Sequence, residues 1–316
     1  MLNLKLIMDT QRIINPYILK TPLNISHTID PDKKIYLKNE GLQVTKSFKM
    51  RGALSKMLRL SEAQKAKGVI AVSSGNHGVA VSYVAQLLDI KNITIIVPKN
   101  TPSSKTDTIE FYGAKLIVAG NDYDEAHAIG MNYVKDHQMT YIDAYDLDPL
   151  IYAGQGTIGL EILSQLPNVT SIVIPIGGGG LITGIASAVK AINPKIKIIG
   201  VQTEACPAMK ASLDEKICYT EYPSETSVCE ALIGGIGRLA YEKLPSLVDD
   251  ILLVKEEWIL KALNHMLIKE RTIIEASSAV VVAAIQNHTS YDFGENPLLV
   301  ISGSNIDTEL MKEVLN

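Results

Sequence analysis

Short runs of aliphatic and β-branched residues recur along this chain. Each is followed by a longer stretch whose apolar positions return every three or four residues. VIAVS (69–73) leads into a helix beginning near Asn76, ITIIVP (93–98) into one from about Ser103, and KLIVAG (115–120) into one over about residues 122–137. Farther on, SIVIPI (171–176), KIIGVQ (197–202), ILLV (251–254) and PLLVIS (297–302) alternate with helical stretches near 152–165, 180–191, 256–269 and 277–287. Strand and helix in alternation predict an α/β fold of mostly parallel sheets wrapped by helices. The first three units form a small domain, residues 61–146. The later ones form a larger domain, residues 147–316, on which residues 1–60 pack. No low-complexity linker or internal repeat interrupts the pattern. A ligand is expected in the cleft between the domains, at the carboxyl ends of the strands.

Composition narrows the function. With 316 residues, 47% of them apolar, the chain has enough material for a sizeable core. A formal charge of -4 and only 5% aromatics argue against a nucleic acid partner. The three cysteines, Cys206, Cys218 and Cys229, form no CxxC pair, which fits a reducing compartment and speaks against zinc. The opening MLNLKLIMDTQR is too short for a secretory leader, and no apolar run approaches the roughly 18 residues that span a bilayer. The expectation is a soluble, cytoplasmic protein with no membrane partner.

Two segments carry candidate chemistry. In SIVIPIGGGGL, four glycines join a strand to a helix. Without Cβ atoms, Gly177, Gly178, Gly179 and Gly180 let several N–H groups converge on one anion, and the helix behind adds its positive end. Phosphate is the natural occupant. No GK[ST] follows, so this is not a P-loop, and the run lacks the spacing of a nicotinamide site. The second segment is VTKSFKMRGA (44–53), where Ser47 is expected to cap a helix whose first turn carries Lys49. Phe48 offers an apolar wall and Arg51 a like charge, both favouring a free amine. Such an amine condenses with a carbonyl.

TPL (21–23), KNEGLQVTKSFKMRGA (38–53), SSGNHG (73–78), AGQGT (153–157), PIGGGGL (175–181) and SGSNID (302–307) follow one another in a single order. That order resembles the serine/threonine dehydratase and serine racemase group of fold-type II pyridoxal-phosphate enzymes, from about residue 16 to 307. The resemblance implies a two-domain, tryptophan synthase β-like fold and pyridoxal 5'-phosphate as cofactor. Lys49 matches the Schiff-base lysine, and Asn76 the partner of the ring hydroxyl oxygen. Ser73, Ser74 and His77 match the substrate-carboxylate turn. Gly177 to Gly180 with the Leu181 amide match the phosphate cradle, and Ser302 the group facing the pyridine nitrogen. A serine there does not force that nitrogen to carry a proton, which favours loss of a β-substituent. The implied reaction is α,β-elimination from L-threonine, L-serine or a close hydroxy-amino acid, with Lys49 taking the Cα proton. The products are a 2-oxo acid and ammonia. The group also implies a homodimer. No regulatory amino-acid-binding segment is expected after residue 316.

Several residues depart from the group's pattern. Ser74 stands where many dehydratases have Ala and racemase-like members have Ser. A hydroxyl opposite Lys49 would return a proton to the other face of Cα, so a serine or related racemase is the runner-up. VCEAL (228–232) puts Cys229 and Glu230 where an Asp and a Gly are usual. Gln202 and Ala208 replace the carboxylates that help racemase-like members bind a divalent cation, and Glu204 alone offers too few oxygens, so no metal is expected. Asp146 is either a selector of the substrate side chain or a surface-loop residue. Ser304 replaces a glycine, and Glu275 fits an acidic position of the group. A β-replacement enzyme is disfavoured by SSGNHG. A ligand-binding protein without catalysis would require Lys49 to be blocked or the phosphate cradle to stay unoccupied.

Overall fold

A computed structural model describes residues 1–99, 101 and 103–315. In chain order its strands are β1 (Leu23–Ser26), β2 (Ile35–Asn39), β3 (Val69–Val72), β4 (Ile93–Val97), β5 (Lys115–Val118), β6 (Thr140–Tyr141), β7 (Ser171–Pro175), β8 (Lys197–Thr203), β9 (Asp250–Val254) and β10 (Pro297–Ile301). The chain divides into two compact units, Met1–Phe48 with Tyr145–Asn316, and Lys49–Ala144.

The larger unit holds a sheet of order β1-β2-β10-β7-β8-β9. Only β1 runs antiparallel to its neighbour. Every residue of β7 and β10 is buried. That is why these strands read as unbroken apolar runs: both faces of a parallel sheet are covered. Successive side chains alternate between two cores. Ile172, Ile174, Leu298 and Val300 join Ile7, Ile158, Ile162 and Ile185, from helices Leu4–Ile14, Pro149–Gln165 and Gly180–Ile192. Val173, Leu299 and Ile301 join Ile259, Leu263, Val280 and Val281, from helices Glu256–Ile268 and Ala276–Asn287.

Helices Pro149–Gln165 and Gly180–Ile192 touch backbone to backbone. A Cβ on Gly156 would lie 2.8 Å from the Gly184 oxygen, and one on Gly184 would lie 2.5 Å from the Tyr152 oxygen. Part of the AGQGT motif is therefore explained by helix packing.

The smaller unit holds a parallel sheet of order β5-β4-β3-β6. Around it lie helices Lys49–Met57, Glu62–Lys67, Asn76–Leu87, Ser103–Phe111 and Tyr123–His137. Ser61 and Gln64 form a reciprocal capping box, and Asp122 caps the last of these helices. The division between units differs from the sequence expectation, which carried the N-terminal segment of the larger domain to residue 60. Met50, Ala53, Leu54 and Met57 are fully buried. Helix Lys49–Met57 packs on Asn76–Leu87 and joins the smaller unit. The second junction lies at 144/145 rather than 146/147.

Candidate active site

In the larger unit, the candidate residues gather at the carboxyl ends of two neighbouring parallel strands. β7 ends at Pro175 and runs into Gly177–Gly180, while β10 ends at Ile301 and runs into Ser302. The glycines are hemmed in on their Cα side. A Cβ on Gly177 would sit 2.7 Å from the Ala231 oxygen, one on Gly178 would clash with the Tyr145 ring at 2.2 Å from Cδ2, and one on Gly179 would lie 2.5 Å from Ala240 Cβ. Gly179 also has φ +91°, a left-handed conformation natural to glycine. It is the N-cap of helix Gly180–Ile192 and supplies no capping side chain. The first helical bond is Thr183 N–H to Gly179 O at 3.0 Å, so the N–H groups of Gly180, Leu181 and Ile182 have no acceptor within the helix.

Residues absent from the sequence reading brace this loop from behind. Gly237 N–H donates to Gly178 O (2.9 Å), and Tyr152 Oη donates to the Tyr145 carbonyl, with the Asp146 carbonyl 3.1 Å away. No spacing in the sequence links Tyr145 or Gly237 to the glycine run. A bare, backed loop whose helix-end donors face outward fits a phosphate group.

Ser302 is buried, with its Oγ 2.9 Å from Ser278 Oγ. Phe48 N–H donates to Ser302 O (3.0 Å), and Ser47 bridges Gly303. Lys49 is the next residue of the chain. The expected cap is corrected here: Ser47 is held in that β-bridge, and its buried Oγ meets no hydrogen-bond partner among the described residues. Strand pairing has drawn it away from the helix end. A neutral hydroxyl at Ser302 beside the cradle fits the pyridine ring of the same cofactor.

In the smaller unit, Lys49 opens helix Lys49–Met57 and is half-buried. Ser73, Ser74 and Gly75 follow β3, and Asn76 and His77 begin helix Asn76–Leu87. Gly75, the N-cap, gives no side-chain bond, and the first helical bond is Val79 N–H to Gly75 O (3.3 Å). The first turn thus has no intrahelical acceptor for its N–H groups. Ser73 Oγ accepts Gly75 N–H at 3.2 Å and shapes the turn. The His77 ring is buried, and its Nε2–H donates to Ile142 O at 2.8 Å. Burial first, and the positive field of Lys49 second, push its pKa down to about 4. The ring is neutral at physiological pH, and the Lys49 charge acts on this helix end.

The departures also find their places. Arg238 clasps Asp146 through Nε and Nη2, and its backbone N–H donates to Asp146 Oδ1 (3.0 Å). The acid anchors the start of helix Arg238–Lys243. Gln202 is buried, with Nε2 3.4 Å from Cys206 O and Oε1 accepting from Lys210 N–H (3.0 Å). Among the described residues no cluster of acidic, His or Cys side chains could hold a metal. Cys229 is buried, which drives its thiol pKa well above the ordinary value, with Glu256 adding to the effect, while Glu230 is exposed. All three cysteines are free. Ser304 has no positive φ and donates to Gly41 O (3.0 Å). Among the described residues no helix is long and apolar enough to cross a membrane.

Residues 14–303 match the family described as pyridoxal-phosphate dependent enzyme. The chain is similar to an L-threonine ammonia-lyase of Thermotoga maritima, 37% identical over 318 residues that cover 100% of this chain and 79% of that one. It is similar in structure to the T.th. threonine deaminase, with TM-score 0.90 and 35% identity over 96% of this chain and 99% of that one. Maize serine racemase superposes with TM-score 0.91 at 29% identity, over 99% and 96% of the two chains.

Proposed function

Because the chain belongs to the pyridoxal-phosphate dependent enzyme family, we infer that this cofactor and an amino-acid substrate define its reaction. The protein is an ammonia-lyase that converts L-threonine or L-serine, or a close hydroxy-amino acid, to a 2-oxo acid and ammonia. One observation carries this: the whole chain aligns, at 37% identity, with a protein named L-threonine ammonia-lyase. The glycine loop that admits no Cβ, the outward N–H groups behind it and the buried Ser302 hydroxyl support the same reading.

When bound, the cofactor supplies an aldehyde that captures amines and a ring that draws electron density from Cα. The chain's own residues do the rest. The N–H groups of Gly177 to Gly180 and Leu181 hold the phosphate. Asn76 holds the ring hydroxyl oxygen, and Ser302 faces the ring nitrogen. Ser73, Ser74 and the His77 N–H hold the substrate carboxylate at the positive end of helix Asn76–Leu87. The His77 ring takes no proton in this, since it is neutral and bonded to Ile142. Lys49 anchors the cofactor, and its amine then removes the Cα proton. Borohydride reduction and peptide mapping test this: the label belongs on Lys49, and recovery on another peptide refutes the assignment.

A second reading, racemisation, is favoured by Ser74 and by the superposition on a serine racemase. Chiral analysis of products from a panel of hydroxy-amino acids separates the two, as oxo acid with ammonia or the D-enantiomer. Ser74→Ala should weaken racemisation more than elimination, and equal losses would leave Ser74 a binding role only. Gln202 satisfies its own neighbours with its amide, so turnover should survive chelation of divalent cations. The chain acts in the cytoplasm, and as a homodimer, the latter supported by exposed Met8, Ile13, Tyr17 and Leu19 near the N-terminus. Light scattering would give the mass of the assembly, and a monomer would end that part.

A further inference from the structure

VCEAL (228–232), which departs from the group's pattern, takes no part in the proposed chemistry. Its far end nevertheless closes the back of the glycine loop. The Ala231 oxygen and the Leu232 Cα would lie 2.7 Å and 3.2 Å from a Cβ on Gly177. Ala231 is exposed, so burial of its side chain does not hold it there. Hydrogen bonds do: Ala231 N–H donates to Ser277 Oγ (3.2 Å), and Leu232 N–H donates to Cys229 O (2.8 Å).

The near end of the segment is tied to one carboxylate. Glu256 Oε2 accepts Val228 N–H (2.9 Å), and Oε1 accepts the hydroxyls of Ser227 (2.8 Å) and Thr203. Thr203 ends β8, and Glu256 opens helix Glu256–Ile268, whose positive end favours a negative charge. Hydrogen counting leaves one arrangement. A carboxylate only accepts, so each hydroxyl gives its hydrogen to Glu256. Each hydroxyl oxygen then takes a backbone N–H, Ser227 Oγ that of Cys229 (3.0 Å) and Thr203 Oγ1 that of Ala205 (3.2 Å). An amide in place of the acid cannot satisfy this set. One orientation sets its NH2 against the Val228 N–H. The other takes the acceptor away from the two hydroxyl hydrogens.

We propose that Glu256 is a positioning residue for the phosphate seat. Its carboxylate fixes residues 227–229, and through the Cys229–Leu232 bond it fixes the wall behind Gly177. This rests on the reading that the glycine loop holds the cofactor's phosphate. The wall keeps Gly177 from backing away when the phosphate presses on the loop, so losing the clamp loosens the cofactor.

The test combines titration of the apoprotein with pyridoxal phosphate, followed by absorbance, and ³¹P NMR of the holoenzyme. The wild-type phosphate resonance is expected away from its position in free pyridoxal phosphate. Glu256→Gln should weaken cofactor binding roughly tenfold and move the resonance toward the free position, because hydrogen-bonding groups around it lose their partners. Ser227→Ala should act in the same direction more mildly, and Ser227→Thr, which keeps the hydroxyl, should bind like wild type. Glu257→Gln, at the exposed neighbouring acid, should leave both readouts unchanged. A Glu256→Gln protein that melts earlier but keeps wild-type affinity and resonance makes the residue structural only and overturns the proposal. If that variant does not fold, Ser227→Ala decides, and an affinity within about twofold of wild type overturns it. A wild-type resonance at the free position removes the phosphate reading of the loop, and the proposal with it.

Discussion

Two helix entrances in this molecule, both proposed to receive an anion, are packed in opposite ways. At Gly177–Gly179 in the larger unit, added Cβ atoms would strike Ala231, Tyr145 and Ala240. At Gly75 in the smaller unit, nothing lies within 4 Å of where a Cβ would go, although Gly78, one turn on, would meet the Ser73 carbonyl. Both entrances lack a side-chain cap. The first is a mould with a solid back, suited to a group that arrives once and stays. The second is open beside its N-cap, suited to a carboxylate that comes and goes with each turnover. On the proposed reading, preorganisation is built where the resident group would sit, and space is left where the transient one would bind.

The contrast breaks first at Gly178. Gly178→Ala should cost cofactor affinity by two orders of magnitude or more, on the scale of about 1–3 kcal/mol for overpacking plus the lost phosphate bonds. Spectrophotometric cofactor titration measures it, and Tyr145→Ala in the same chain should recover part of the loss. Next comes Gly78→Ala, expected to raise KM for the amino acid by roughly tenfold while cofactor affinity stays within about twofold, through displacement of the Ser73 turn. A parallel loss of both affinities would erase the division of labour.

The third expected effect follows from His77. Its folded-state pKa of about 4 lies below the ordinary 6.5, so the unfolded chain binds the extra proton first. The stability from keeping the ring neutral is complete above about pH 6.5 and is lost as pH falls toward 4, by roughly 3 kcal/mol in all. Urea denaturation across that window measures it, and His77→Gln, which can still donate to Ile142 O, should flatten the slope. Smallest of all is Gly75→Ala. With open space and φ -112° it should change KM by no more than about twofold. A tenfold change there would mean that the open entrance is tighter than its packing indicates.

Much of this was legible because it is written in local pattern. β3, β4, β7 and β10 are almost wholly apolar, β8 is apolar over residues 198–201, and the glycine run and SSGNHG each follow a strand, so the fold and the candidate loops could be located by period and punctuation. β1 and β6 could not, being short, with β1 partly exposed and β6 only two residues long. The site's supports escaped for another reason. Tyr145 backs Gly178, Gly237 bonds it and Ser278 meets Ser302 across long separations in sequence, with ordinary residue types. Ser47 and Asp146 misled or divided the reading because a hydroxyl before a helix and an acid near a motif have local meanings. Here a β-bridge to Gly303 and the Arg238 clasp override them.

The seam where Gly156 and Gly184 bring two helix backbones together has a bearing on redesign. At these two glycines the helices meet through main chain, with no side chain of their own to be trimmed, so the depth of the proposed anion seat depends on how closely the backbones approach. An engineer wanting room for a bulkier phosphorylated coenzyme must relocate a whole helix. A larger residue introduced at either glycine would shift the seat before it touched any ligand.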